Sequence, residues 1–95
     1  MDQSNNQQIQ VKATDEVIKG VYSNVMELKG LKDEFCLDFF NVFPPIGAMT
    51  ARIVISPGHM KRMVKVLQQG VNTFEEKFGK IEEAEEPSKP RMGFN

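Results

Sequence analysis

Residues 35–57 read FCLDFFNVFPPIGAMTARIVISP: two extended runs around a proline pair, closing on a helix start. In the first run Phe35, Leu37 and Phe39 alternate with Cys36, Asp38 and Phe40, the period of a strand with two different faces. Asn41 to Gly47, with Pro44-Pro45 inside it, is expected to break that strand. A second run follows, with Met49, Ala51, Ile53 and Ile55 facing one way and Thr50, Arg52 and Val54 the other. If the proline pair is a hairpin apex, Asp38 falls opposite Arg52 and Phe40 opposite Thr50. Ser56-Pro57 then starts a helix, because Ser caps free N–H groups and Pro suits the first helical position.

Reading towards the C-terminus, the helix runs to about Phe78, where Gly79 can take a left-handed cap. Its apolar residues Met60, Val64, Leu67, Val71, Phe74 and Phe78 are spaced four, three, four, three and four apart, a heptad seam widened by Met63 and Val66. Reading towards the N-terminus, Gly30 to Asp33 has turn chemistry, and Val21 to Lys29 alternates as another strand. Ala13 to Gly20 is a connection with room for one helical turn. Ile9 and Val11 alternate with Gln10 and Lys12, which reads as a short first strand. The expected fold is α+β: an antiparallel sheet of three to four strands followed by one long C-terminal helix packed on one face. Residues 9–81 form a single domain, between a disordered tail over 1–8 and an acidic, flexible tail over 82–95.

A chain of 95 residues supports one small domain with a thin core. The expectation is therefore a homodimer or higher oligomer. The helix can cover one sheet face, for which Phe35, Leu37, Phe39, Met49, Ala51 and Ile53 are the natural set. Val25, Phe40 and Val54 on the other face, together with Gly70, Phe74 and Phe78 of the helix, are then candidates for an oligomer or partner surface. Gly70 costs about 1 kcal/mol relative to Ala in a helix interior, which makes sense where another backbone approaches.

Twelve Lys and Arg face 13 Asp and Glu, so the net charge is −1 and bulk attraction to a polyanion is disfavoured. The charge is segregated all the same. Residues 57–69 carry +3 and residues 70–90 carry −3, an order opposed to the helix dipole and suited to contacts with a partner or a second copy. No apolar run reaches the length of a membrane span. The N-terminus has no basic start or apolar stretch of a secretory signal, and one cysteine allows no internal disulfide, so a cytoplasmic setting is expected. With only Cys36 and His59 to draw on, no Cys/His metal site is expected, and no cofactor either.

His59, Lys61, Arg62 and Lys65 sit at the basic start of the helix, where free N–H groups and cations can hold phosphate or carboxylate. The same side chains equally make a solvated helix face, and no aromatic residues interleave for base stacking, so nucleic acid is the weaker reading. No G-x-S-x-G, phosphate loop, G-x-G-x-x-G or H-E-x-x-H is present, and no catalytic residue is assigned. Cys36 lies mid-strand without a neighbouring cation in sequence, the setting of an inert thiol.

Gly20-Val21-Tyr22-Ser23-Asn24, Glu34-Phe35 with Leu37-Asp38-Phe39, Asn41-Val42-Phe43-Pro44, Arg52, Ser56-Pro57 with His59 and Lys61-Arg62, then Glu75 and Phe78-Gly79 with Ile81 form a series. This series resembles a family of small bacterial and archaeal proteins classed as a domain of unknown function, over about Ile9 to Glu83. The resemblance implies several strands followed by one long helix and brings no activity, cofactor or catalytic residue. The strand-then-helix order is also similar to that of the export chaperone SecB, by topology alone. The expected function is thus a non-enzymatic, cytoplasmic, oligomeric binding or scaffold module. The alternatives are a SecB-like chaperone for unfolded polypeptide and anion or nucleic-acid binding at the helix start.

Overall fold

The computed structural model describes residues 7–87. In chain order it contains α1 (Asp15–Lys19), β1 (Val25–Gly30), β2 (Phe35–Phe43), β3 (Ile46–Ile55) and α2 (Pro57–Phe78). The three strands form one antiparallel sheet in the order β1-β2-β3, with β2 central. This is the α+β arrangement of sheet followed by C-terminal helix.

Two expectations about strand limits are corrected. Ile9 and Val11 belong to no strand and are exposed, since an alternation of two apolar residues offers too little area to hold a ladder. Residues 21–24 precede β1 instead of forming its start. The hairpin is also tighter than the sequence suggests. β2 continues through Asn41 and Val42 to Phe43, Pro44-Pro45 alone make the turn, and β3 starts at Ile46. The prolines occupy only the apex, so neither removes a ladder N–H. The tail expected over residues 1–8 lies mostly outside the described residues, as does the stretch 88–95. Residues 82–87 have no regular secondary structure.

Asp38 pairs with Arg52 as the alternation predicts, but Phe40 pairs with Met49 and not with Thr50. The register shifts between Phe39 and Phe40, and Thr50 is the extra residue of a β-bulge. Its hydroxyl donates to the Phe39 carbonyl at 3.2 Å. The bulge moves Met49 away from the Leu37 face, where its sequence position would put it, to the opposite one. There it packs against Val25, Phe40 and Val42, the main buried cluster of the chain. Leu37 is buried on the other face.

α2 carries the Ser56 cap its sequence announces, and α1 has a cap of the same kind at Thr14; Gly79 takes a positive φ as expected, but with an extended ψ of 174° instead of the left-handed helical value. Ser56 Oγ accepts from the His59 N–H at 3.1 Å, and Thr14 Oγ1 from the Val17 N–H at 3.2 Å. Gly79 closes α2 at φ 97°, donating its N–H to the Glu75 carbonyl at 2.9 Å. The cover expected for the helix is not realised among the described residues. No residue of α2 is buried; Met60 and Met63 are half-buried, while Val64, Leu67, Val71, Phe74 and Phe78 are exposed. The radius of gyration, 17.3 Å, matches this extended shape. A compact chain of this length would give about 12–13 Å.

Candidate functional site

Two surfaces concentrate chemistry: the polar end of the sheet face that also carries the Val25–Phe40 cluster, hereafter the polar face, and the length of α2. On the sheet, register brings Lys29, Cys36, Asp38 and Arg52 to one face. Asp38 is 1% exposed and accepts two bonds from Arg52, from Nε at 2.7 Å and from Nη2 at 2.9 Å. Lys29 Nζ stands 3.9 Å away, and the Cys36 thiol donates to Asp38 Oδ1 at 3.4 Å. The Arg52 hydrogen bonds outweigh the desolvation of the carboxylate and hold its pKa at about 2. Desolvation, then the bond to Asp38, pushes the Cys36 thiol up. A carboxylate this well neutralised is a poor general base, and a thiol shifted upward is a poor nucleophile.

At the edge of this sheet, Asn24 does work that alternation does not reveal. Its Oδ1 accepts the Val42 N–H at 2.8 Å and its Nδ2 donates to the Val42 carbonyl at 2.9 Å. The side-chain amide thereby replaces the next peptide of β1. Ser23 supports it, its hydroxyl donating to the Phe40 and Val25 carbonyls at 3.1 and 3.0 Å. Their only signal in the sequence is a polar Ser-Asn pair just ahead of an apolar strand.

Along α2, the basic residues anticipated from sequence are placed by the helix alone. Arg62 Nη2 lies 2.9 Å from His59 Nδ1, one turn apart. Lys65 lies one turn from both Lys61 and Arg62, so the four spread over a broad strip of the helix surface and do not converge on one point. A shallow groove beside this turn is lined by His59, Arg62, Met63, Val66 and Leu67, all of α2. It is a feature of an uncovered helix and not an enclosed cavity.

The residues expected at a partner surface divide. Val25 and Phe40 lie inside the chain's own core, at 4% and 3% exposure, and present nothing to a partner. They are corrected to core residues, since they cluster with Val42 and the bulge adds Met49 to the same face. Val54 is exposed on the polar sheet face. Phe74 and Phe78 are exposed, their rings 4.9 Å apart. A Cβ added at Gly70 would meet nothing within 4 Å, so no contact inside the chain accounts for that glycine. On the opposite sheet face Met26, Leu28 and Ile53 are also exposed.

Among the described residues no group of three or more His, Cys, Asp or Glu could hold a metal ion, and no helix is long and apolar enough to cross a membrane. The profile of the family described as "Protein of unknown function (DUF3467)" matches residues 1–83, and the chain belongs to that family. No curated protein and no solved structure matches the chain.

Proposed function

We propose that this family member is a non-enzymatic, oligomeric protein-binding module of the cytoplasm, whose first partner is another copy of itself. One observation carries the reading: α2 is 22 residues long and has a continuous apolar seam, which stays exposed from Val64 to Phe78 among the described residues. An amphipathic helix in a soluble protein draws most of its stability from covering that seam. Each large apolar side chain left in water forgoes about 1.5–3 kcal/mol of burial. The seam of α2 is flanked by Lys61, Gln68, Glu75 and Lys77, a polar rim beside an apolar stripe. The cytoplasmic setting is supported by the single Cys36, which is free and forms no disulfide.

Light scattering of the purified chain tests the reading. A mass of at least twice 10.8 kDa is expected at micromolar concentration. A species of 10.8 kDa at every accessible concentration would refute it.

A further inference from the structure

We infer that α2 pairs antiparallel with α2 of a second copy, about a two-fold axis between Leu67 and Val71. This rests on the oligomeric reading above and specifies its interface. The seam residues are spaced symmetrically about their midpoint. In an antiparallel pair Met60 meets Phe78 of the second copy, Val64 meets Phe74 and Leu67 meets Val71, each layer then repeating by symmetry. Large side chains meet smaller or flexible ones in every layer, and the exposed Phe74 and Phe78 both gain cover.

The residues beside the seam select this direction. Lys61, Gln68 and Glu75 flank it on one side at intervals of seven, and Met63, Gly70 and Lys77 on the other. Antiparallel pairing sets Lys61 against Glu75 of the second copy, twice by symmetry, and Gln68 against Gln68. It also brings the two Gly70 residues together near the axis, where the lack of a side chain lets the backbones approach. A parallel pair would set Glu75 against Gly70 and Lys61 against Ser56, with no opposite charges matched. It would also gather both basic helix starts at one end. Glu75 is ready for the contact: Oε2 accepts the Ile81 N–H at 3.0 Å, which fixes the side chain and leaves Oε1 free of that bond. Antiparallel pairing further lays the +3 half of one helix along the half that leads into Glu82, Glu83, Glu85 and Glu86 of the other.

Charge reversal and rescue test the arrangement, read by sedimentation equilibrium of the full chain. Lys61→Glu is exposed and keeps the helix, so circular dichroism should be unchanged. It should weaken self-association about tenfold or more, because two attractive pairs become repulsive. Glu75→Lys should weaken it likewise, and the double variant Lys61→Glu/Glu75→Lys should recover most of the wild-type affinity. Gln68→Cys should form a disulfide-linked dimer on mild oxidation, since only an antiparallel pair places position 68 beside its own copy at the axis. If the wild type associates but the double variant is not rescued, or Gln68→Cys does not cross-link, the antiparallel pairing is overturned while the oligomeric reading stands. That is the outcome for a helix lying on the partner's sheet. A wild type that stays at 10.8 kDa overturns both.

Discussion

Replacing Asn24 with Ala should destabilise the fold out of proportion to the atoms removed. The side chain closes the β1–β2 ladder through two hydrogen bonds to one residue, at 2.8 Å from the Val42 N–H and 2.9 Å to the Val42 carbonyl. Val42 is 6% exposed and belongs to the Val25–Phe40 cluster, so water reaches its peptide groups poorly. Alanine therefore strands a donor and an acceptor together. An unmet buried backbone group costs about 1–3 kcal/mol, and partial hydration at the sheet edge brings the pair to roughly 2–4 kcal/mol. Total stability for a chain of this size is about 5–14 kcal/mol, so the loss is a large fraction of it. Urea denaturation, at one fixed protein concentration because association is linked to folding, should show the midpoint lower by about 1–3 M. Asn24→Asp should cost more than Ala at neutral pH, since a carboxylate oxygen then faces the Val42 carbonyl. An Asn24→Ala variant within about 0.5 kcal/mol of wild type would show that the amide is not acting as a strand peptide.

Three further outcomes follow from the same geometry. Asp38 has a folded pKa of about 2 against an ordinary 3.8, so its ion pair stabilises the fold above pH 3.8. That contribution is lost as pH falls towards 2, and an acid titration of the melting temperature should be flatter over that window in Asp38→Asn. Cys36, with its pKa raised and its thiol bonded to Asp38, should react with iodoacetamide at pH 7.5 several-fold more slowly than glutathione; equal rates would contradict the placement. Gly79→Ala should lower stability by about 1–2 kcal/mol in thermal denaturation, because φ is 97° and no neighbour within 4 Å could repay the strain with contacts.

Strict alternation made β2 and β3 legible, since Phe35 to Phe40 and Met49 to Ile55 can bury a face only as strands. The Asp38–Arg52 pair followed from counting outward from the prolines. The same count failed at Phe40, because a bulge is fixed by how two strands fit and not by the residues of either alone. Thr50 looks like any outward-facing Thr until its hydroxyl is found on the Phe39 carbonyl. Asn24 was illegible for a related reason: an amide that mimics a peptide has no pattern of its own, and only the position of Val42 gives it meaning. The basic residues of α2 were legible as a cluster along the chain, but helical rotation fans them from Lys61 through Lys65 and Arg62 to His59 instead of aiming them at one point.

The sheet and the helix satisfy themselves in different ways, and this bears on what the chain is for. In the sheet, three polar groups are closed internally, Asp38 by Arg52, Val42 by Asn24 and Phe40 by Ser23, while the buried Asn41 Oδ1 on the opposite face has no hydrogen-bond partner. Little there is left asking for a partner on the polar face. In α2 the caps at Ser56 and Gly79 are likewise complete, so the helix begins and ends without help. What remains unmet is apolar and lies along one side, from Val64 to Phe78. A periodic stripe specifies that something must cover it and says nothing of which chain the cover comes from. Only Met60 and Met63 of the stripe are half-buried, and an amphipathic helix draws most of its stability from packing that stripe. Among the described residues nothing covers the seam from Val64 to Phe78, and the symmetry of the seam and of its flanking charges fits an identical helix running the other way.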